Sequence, residues 1–287
     1  MIRLSAFFIL FAATAFAADP NLHDQVTALF RDRKWAEAQT LIEKSIATEP
    51  ANAEAHFLLG VSFLNRNDAE HAVSAFEQAV ALDPASSSYV RHLGDAYGLT
   101  AQKAGLFSKM GWAKKCKAAY DKAVELDPKD INARWSVMEF CRQAPSFIGG
   151  GMDLAYTQAE AIKQLDPARG RLAYVTLYLA EKKYPEAFMV YDEVLKTTPD
   201  DFGALFQIGR ISAISGERLD QGLAALQRCL AVTPTPAGQP GPAPLNFLLG
   251  SIWEKKGDKI AARAAYEAAL ASDPKLTRAA DALAKLK

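Results

Sequence analysis

Prolines recur along this chain at a spacing that divides it into near-equal parts. The successive intervals are 34, 44, 39, 32, 35 and 40 residues. Proline cannot continue a helix, because it lacks an N–H and its ring clashes with the preceding turn. A fixed period near 34 residues therefore predicts an array of repeated helical units rather than one globular core. The prolines in question are Pro50, Pro84, Pro128, Pro167, Pro199, Pro234 and Pro274, and each is predicted to close a helical stretch.

The clearest unit spans residues 53–84 and contains two amphipathic stretches separated by a polar turn at 65–68. Apolar residues recur every three or four positions in both stretches, which indicates two helices with one buried face each. Gly60 in the first stretch is predicted to face Ala72 and Ala79 in the second. Small residues let two helix backbones approach closely, so this unit is predicted to be a tight helical hairpin.

This pattern resembles the tetratricopeptide repeat, a 34-residue unit of two helices. Two units carry suitable residues at the constrained positions of the repeat, and His56 is the unusual one. They are His56, Leu59, Gly60, Phe63, Ala72, Phe76, Ala79 and Pro84, and again Asn246, Leu249, Gly250, Trp253, Ala262, Tyr266, Ala269 and Pro274. The resemblance covers residues 19–287. It implies an all-α protein of the exported bacterial type: a right-handed α-solenoid of about seven helix-turn-helix repeats with a C-terminal capping helix.

The predicted organisation follows from these units and from two irregular segments. It comprises a signal peptide (1–17), a degenerate repeat 1 (19–52), repeat 2 (53–86), repeat 3 with an insertion (87–130), repeat 4 with a glycine-rich turn (131–167), repeat 5 (168–201), repeat 6 (202–236), a Pro/Gly connector (237–242), repeat 7 (243–276) and the capping helix (277–287).

The first residues differ in character from the rest of the chain. Arg3 precedes an apolar run from Leu4 to Phe16, and small residues at Ala15 and Ala17 suit cleavage by signal peptidase. We expect a signal peptide cut after Ala17 and an exported protein, periplasmic or secreted, with a Gram-negative periplasm as the favoured compartment. The alternative is an uncleaved anchor, although the run is shorter than the ~20 residues of a membrane-spanning helix.

The net charge narrows the class of partner, and the cysteine content bears on whether the chain contains a disulfide. The 33 Lys and Arg residues balance 33 Asp and Glu residues, which argues against nucleic acid, because that partner requires clustered basic residues. The chain has three cysteines. A disulfide between Cys116 and Cys141 is one hypothesis for an oxidising compartment. The favoured alternative is that each cysteine fills a small packing position.

Two insertions interrupt the period. The first, at 98–116, mixes lysines with apolar residues, so the segment Lys103–Lys117 could contact an anionic membrane. We favour instead two lengthened helices with Phe107, Met110 and Trp112 capping the hairpin core. The second insertion contains Gly149–Gly151. Because no Gly-Lys-Ser/Thr sequence follows, we interpret it as a turn rather than a phosphate loop, with Asp153 capping the next helix.

No pattern of catalysis, metal binding or cofactor binding stands out. The four histidines lack the i, i+4 spacing of a helical metal site, and neither Cys-x-x-Cys nor Gly-x-Ser-x-Gly occurs. We therefore predict no enzyme, no cofactor and no metal site.

The resemblance does imply a place for a protein or peptide partner. In tetratricopeptide arrays the first helices of the repeats line a concave groove. Position five of each repeat, which faces that groove, holds four aromatic residues in this chain, and aromatic residues dominate interface energetics. The predicted groove residues are Phe57, Arg91, Asp95, Trp135, Glu139, Arg142, Phe206, Arg210, Phe247 and Glu254. The alternative is that these aromatics pack between neighbouring first helices.

The sequence thus favours an exported, non-catalytic scaffold that binds segments of partner proteins in this groove. One alternative is a membrane-peripheral structural or assembly protein of the cell envelope, in contact through Lys103–Lys117. The remaining alternative, which we do not favour, is an enzyme or a small-ligand carrier.

Overall fold

The structure is a computed structural model that describes residues 22–286, so the predicted signal peptide lies outside the described residues. Within 22–286 the chain forms fifteen α-helices and one short 3₁₀ turn, and no strand. The helices are α1 (Leu22–Arg31), α2 (Trp35–Thr48), α3 (Ala53–Asn65), α4 (Ala69–Leu82), α5 (Ser87–Lys103), α6 (Leu106–Leu126), α7 (Ile131–Gln143), α8 (Met152–Leu165), α9 (Pro167–Ala180), α10 (Tyr184–Thr197), α11 (Phe202–Ser215), α12 (Leu219–Ala231), α13 (Pro242–Lys256), α14 (Lys259–Ser272) and α15 (Thr277–Lys285).

The helices belong to two compact units, which divide after Gly151. The first unit contains α1–α7 and the second contains α8–α15. Within each unit, helices that follow one another pack side by side, most extensively in the hairpins α3–α4, α5–α6, α11–α12 and α13–α14. The core of the first unit centres on Ile42, Phe76 and their neighbours. Phe188 and Ile208 lie at the centre of the main core of the second unit. The predicted all-α repeat architecture is therefore confirmed.

Side-chain caps begin many of these helices. An Asn, Asp or Ser immediately before the helix accepts a hydrogen bond from a free backbone N–H of the first turn, which stabilises a helix start by ~1 kcal/mol. This arrangement recurs at Asn52, Asp68, Ser86, Asp130, Asp166, Asp201 and Asp258.

Pro167 begins a helix instead of closing one. It is the first residue of α9, and the carboxylate of Asp166 accepts hydrogen bonds from the backbone N of Ala168 at 2.8 Å and of Arg169 at 3.0 Å. Proline suits this position, because the N–H that it lacks would have no helical partner there. The helix of repeat 5 thus begins one residue before the predicted boundary at 168.

Glycine and an aromatic ring hold the two helices of several hairpins together. Phe76, rather than Ala72 or Ala79, lies directly against Gly60. The same relationship joins Gly94 to Tyr120 and Gly250 to Tyr266, where an added Cβ atom would stand 2.6 Å and 2.4 Å from the ring. Such short approaches leave no room for any other residue type, so a glycine at this position sets the close spacing of each hairpin.

The first insertion lengthens both helices of repeat 3, as predicted. α5 has 17 residues and α6 has 21, against 13 to 15 in most other helices. Trp112 packs against Tyr97, with ring centroids 5.7 Å apart. The predicted capping role is wrong for Phe107 and Met110, which are 99% and 47% exposed. Their side chains lie on the solvent side of a helix that extends past the core.

The glycine-rich segment forms a turn, as predicted, although Asp153 does not cap α8. α7 ends at Gln143, and Ser146–Ile148 form the 3₁₀ turn. Gly149 has φ of 85° and Gly151 has φ of 125°, which side-chain-bearing residues rarely adopt. α8 begins at Met152, so Asp153 lies inside its first turn.

The hypothesis of a Cys116–Cys141 disulfide is wrong in this structure, since all three cysteines are free and buried. The two thiols occupy different local environments. The Cys141 thiol donates to the carbonyl oxygen of Gly149, with Sγ and O 3.6 Å apart. Cys116 lies inside the α5–α6 hairpin, near Gly98 and Tyr120. Each cysteine therefore fills a packing position, as the alternative prediction proposed.

Candidate partner-binding surfaces

Phe57, the predicted groove residue of α3, lies in the interior of the first unit. Phe57 is only 9% exposed. Its ring stacks on Tyr89 and meets His92 edge-on, with centroids 4.8 Å apart in both cases. Packing between successive first helices, the alternative reading of position five, describes Phe57 better than a role as a free anchor.

The charged residues predicted on α5 are neutralised within the hairpin. Arg91 Nη1 lies 3.1 Å from Asp95 Oδ2, and the Tyr120 hydroxyl donates to Asp95 Oδ1 at 2.7 Å. Burial raises the pKa of Tyr120, so its hydroxyl stays a hydrogen-bond donor. Burial, followed by the positive charge of Arg91, lowers the pKa of His92. This cluster holds α5 and α6 in register.

On α7, an aromatic residue stands beside an internal ion pair. Arg142 Nη2 lies 2.6 Å from Glu139 Oε2, and Gln143 Nε2 donates to the same oxygen at 3.2 Å. Trp135 lies one turn earlier and is half-buried. No ring pairing or cation–π contact engages its indole among the described residues, so part of this ring remains accessible at position five of repeat 4.

In the second unit, the two position-five phenylalanines differ. Phe206 is half-buried and packs against the main core. Phe247 is also half-buried, but its ring lies 5.8 Å from that of Tyr266 and the guanidinium carbon of Arg278 lies 4.5 Å from its centroid. Glu254 is exposed and accepts from the Tyr266 hydroxyl at 2.9 Å. The last helix thus covers the groove face of repeat 7.

Arg210, on α11, is a half-buried cation that has no carboxylate partner within residues 22–286. Its Nε donates to Gln207 Oε1 at 2.7 Å. Its Nη2 is buried and has no hydrogen-bond partner among the residues that the structure describes. Burial lowers the pKa of this guanidinium. An uncompensated buried charge of this kind is costly in a folded protein.

A small cavity of about 320 Å³ opens between α9, α10 and α11 in the second unit. Arg171, Leu172 and Tyr191 line one part of it, while Asp201, Gln207 and Gln239 line another. Gln239 belongs to the predicted Pro/Gly connector, so this segment lines the cavity as well as connecting repeats 6 and 7. The sequence gives no warning of this cavity, because its walls come from four separate segments.

A larger cavity, of about 750 Å³, lies in the first unit where the lengthened hairpin meets the α3–α4 turn. Thr100, Lys103 and Trp112 line it on one side, and Asp68, Glu70 and Val73 line it on the other. Lys103 Nζ donates to the carbonyl oxygen of Asn67. The ten-residue insertion is the sequence feature that signals this cavity.

Metal-ligand clusters and reactive thiols are two features of catalytic sites that can be checked among the described residues. No group of three or more His, Cys, Asp or Glu residues is arranged to hold a metal within 22–286. Burial raises the pKa of the Cys116 thiol to about 12 and that of Cys229 to about 11, and it also raises the pKa of Cys141. The thiols are thus poor nucleophiles, because the thiolate is the reactive form.

The exposed hairpin tip has features of a surface contact. Phe107 and Met110 accompany the exposed residues Lys109 and Lys114 on α6. Among the described residues, none of the helices combines the length and the apolar character that a membrane crossing requires.

Several solved structures share this fold, and two of them resemble most of this chain. A tetratricopeptide repeat protein from Parabacteroides merdae aligns with a TM-score of 0.62 at 15% identity, over 93% of this chain and 97% of that one. Yeast Tom70 aligns with a TM-score of 0.63 at 16% identity, over 89% of this chain and 52% of that one. At these identities, the likeness concerns the fold alone.

Sequence comparison identifies the repeat itself. The peroxisomal targeting signal receptor of Kluyveromyces lactis is 22% identical over 225 residues, which are 76% of this chain and 36% of the receptor. The chain thus spans about a third of the length of that relative. Residues 23–97, 101–130 and 211–277, more than half of the chain, match the family described as "Tetratricopeptide repeat". Together with the helical hairpins and their glycine–aromatic contacts, these matches show that the chain belongs to the tetratricopeptide repeat family.

Proposed function

We propose that this protein is an exported, non-catalytic scaffold that binds segments of partner proteins on the first-helix faces of its two units. The observation that carries the proposal is the state of the position-five residues. Trp135, Phe206 and Phe247 keep partly exposed rings, whereas Phe57 is buried. A partly exposed aromatic on a rigid helix can bury a large area on binding with little loss of conformational entropy.

Family membership supports this function. Among the relatives, the Kluyveromyces lactis protein is named as a receptor for a targeting signal, which is a function of recognition. For the present chain, the partner is a protein segment whose apolar side chains contact a partly exposed ring at position five. Near-neutral overall charge favours such a partner over nucleic acid.

Partner capture tests the proposal. The full chain and its Trp135→Ala and Phe206→Ala variants are immobilised, and proteins retained from a native envelope extract are quantified by mass spectrometry. We expect each variant to lose the same partners while its helical circular dichroism is unchanged. Phe147→Ala is the matched control, because Phe147 is 73% exposed and lies on the glycine-rich turn rather than on a first helix. Retention of the same partners by the double variant would exclude the first-helix faces.

Export is the part of the proposal that rests on the first residues. Cleavage after Ala17 would leave a mature chain that starts at Ala18. Intact-mass measurement of the protein isolated from its native source tests this. A mass that retains residues 1–17 would contradict cleavage and favour the uncleaved anchor.

A second candidate function, contact with the membrane surface, gains support from Phe107. This side chain is 99% exposed and shares the start of α6 with the exposed Lys109, a combination that suits the interface of an anionic bilayer. Flotation with phosphatidylglycerol-containing vesicles at low salt tests it. Loss of flotation in Phe107→Ser, but not in Ile260→Ser, would support this candidate, since Ile260 is 85% exposed on α14. Absence of flotation by the unmodified protein would dismiss it.

A further inference from the structure

The three hairpins of the first unit place their internal turns at one edge. The helices α1, α3 and α5 contact one another in order, so the turns that follow them lie side by side. Arg66 Nη1 donates to Gln39 Oε1 of α2, and Lys103 at the end of α5 donates to the carbonyl oxygen of Asn67. These contacts join the three turns in series. We call this surface the turn edge, and it consists of residues 31–34, 65–68 and 103–114.

Basic side chains dominate the turn edge. Asp68 accepts hydrogen bonds from the backbone N and the Nδ1 of His71, and Asp32 is exposed. Most of the basic side chains are exposed and form no ion pair with a carboxylate among residues 22–286, which leaves the edge with a net positive charge. These basic residues are Arg31, Arg33, Arg66, Lys103, Lys109 and Lys114.

The opposite edge of the same unit is acidic. There the chain passes from one hairpin to the next, and the acidic residues outnumber a single lysine. They are Glu49, Asp83, Asp127 and Asp130, against Lys129. Between the two edges, the 13 residues of α3 span about 20 Å, which exceeds two Debye lengths of ~8 Å at physiological ionic strength. The zero net charge of the whole chain thus conceals a charge asymmetry within this unit.

The tip of the α5–α6 hairpin projects beyond the rest of the turn edge. α5 has 17 residues and α3 has 13, so the extra turn extends the hairpin by about 6 Å. Phe107 and Met110 lie on this projection and are 99% and 47% exposed. Interfacial apolar side chains bury ~5–10 Å into the boundary between headgroups and acyl chains. A projection of this length therefore inserts Phe107 while Arg33 and Arg66 remain at the level of the lipid phosphates.

We propose that the turn edge of the first unit docks on an anionic bilayer, with Phe107 and Met110 inserted and Arg31, Arg33 and Arg66 at the phosphates. The proposal rests on the second candidate function, which involved the tip alone, and extends it to the whole edge. Each Lys or Arg near an anionic membrane strengthens binding by about five-fold.

Docking through the turn edge is compatible with partner binding in the same unit. Trp135 lies near the start of α7, which follows the last segment of the acidic edge. Membrane contact at the turn edge therefore leaves the Trp135 face accessible. The protein thus holds partner segments at the surface of the bilayer.

An anionic bilayer fits the turn edge better than nucleic acid does. Both present phosphates to basic side chains. Only the bilayer also offers an apolar layer, and the exposed Phe107 and Met110 gain from burial in it.

Vesicle binding by the full chain tests the proposal. Vesicles of phosphatidylglycerol and phosphatidylcholine are titrated at low salt, with phosphatidylcholine alone as the reference. We expect Arg31→Gln/Arg33→Gln to weaken binding to the anionic vesicles about ten-fold, with unchanged circular dichroism. Lys44→Gln/Lys129→Gln is the matched control and should bind as the unmodified protein does. It removes the same charge from exposed positions away from the turn edge.

A fluorescent probe locates the inserted residues. Phe107→Cys and Ile260→Cys are each labelled with an environment-sensitive dye under native conditions, in which the three natural cysteines are buried. Ile260 is the comparison, because it is 85% exposed on α14 of the second unit. We expect a blue shift on anionic vesicles at 107 and none at 260. All variants share the same N-terminal residues, so any binding by that segment is common to them.

Three results would overturn the proposal: equal binding by the arginine variant and the unmodified protein, no blue shift at 107 beyond that at 260, or tighter binding to duplex DNA than to anionic vesicles. These results are separable from failure of the second candidate function. If Phe107→Ser abolishes flotation while Arg31→Gln/Arg33→Gln binds normally, then the tip contacts the membrane and the rest of the turn edge does not. Absence of vesicle binding by the unmodified protein would dismiss both, while partner capture still decides the scaffold function.

Discussion

The ring of Phe76 fills the space that a side chain at Gly60 would need, with Cε1 2.6 Å from the position of an added Cβ atom. Phe76 is fully buried, so its ring cannot move aside without disturbing the core. We expect Gly60→Ala to lower the free energy of unfolding by about 1–3 kcal/mol, the usual cost of overpacking. The midpoint of urea unfolding, followed by circular dichroism, measures the effect.

Gly111→Ala is the matched control for that substitution. Gly111 also lies within a helix, α6, but no atom stands within 4 Å of an added Cβ. Alanine should raise stability there by roughly 0.5–1 kcal/mol, because it restricts the unfolded chain and favours the helix. Equal effects of the two substitutions would show that the α3–α4 hairpin is not packed as closely as described.

The hairpins could be predicted from the sequence because their determinants are local. A glycine meets an aromatic ring 16 residues later at Gly60 and Phe76 and at Gly250 and Tyr266, and the insertion of repeat 3 lengthens this spacing to 26 residues at Gly94 and Tyr120. The proline pattern predicts that Pro167 closes a helix, whereas it begins α9. A proline suits both the end of one helix and the first position of the next, so its presence alone does not distinguish the two. The capping aspartate at 166 decides between them.

The candidate site was less predictable because it depends on contacts between repeats. Position five supplies similar residues in repeats 2, 4, 6 and 7. In the structure, however, Tyr89 on α5 stacks on the buried Phe57, and Arg278 on α15 lies over the half-buried Phe247. Arg210 resembles any polar groove residue in the sequence. Its missing partner becomes visible only when α9, α10 and α11 are placed together.

The C-terminal segment should stabilise the last hairpin, which α13 and α14 form. Leu286 is 6% exposed and packs in one cluster with Ala262 and Tyr266 of α14. We expect Leu286→Ala to lower the free energy of unfolding by about 2 kcal/mol, the lower end for a buried leucine. Amide hydrogen exchange should accelerate in α13 and α14 while α1–α4 keep their rates, because repeat stability depends on nearest neighbours.

Lys285→Ala provides the comparison, since Lys285 is exposed at the end of α15, directly before Leu286. It should leave the exchange of α13 and α14 at its original rate. Equal acceleration by the two substitutions would show that the packing of Leu286 does not hold the last hairpin.

The buried thiols should be protected in the folded protein. Because burial raises the pKa of Cys116 to about 12, the thiolate fraction is small at pH 8 and keeps increasing well above that pH. We expect slow reaction with a thiol reagent under native conditions, with no plateau in rate near pH 9, and rapid reaction of all three cysteines in urea. Fewer than three reactive thiols in unreduced, unfolded protein would reveal a disulfide and contradict the structure.

His92 should make the first unit less stable as the pH falls. Burial and Arg91 lower its pKa below the ordinary value of 6.5, although Ser88, Asp95 and Asp130 act in the opposite direction. The unfolded chain therefore takes up a proton at a higher pH than the folded chain does. Stability from this group is complete above pH 6.5 and is lost as the pH falls towards the folded-state pKa.

Urea midpoints measured between pH 7.5 and 5.5 test this for the unmodified protein and for His92→Gln. We expect the substitution to flatten the part of the pH dependence that lies below 6.5, because glutamine does not titrate. His56→Gln is the comparison, since His56 lies on the neighbouring helix α3 and its Nε2 is 2.9 Å from the carbonyl oxygen of Pro50. If His92→Gln keeps the full slope, then protonation of His92 does not oppose folding, and another group must account for the acid sensitivity.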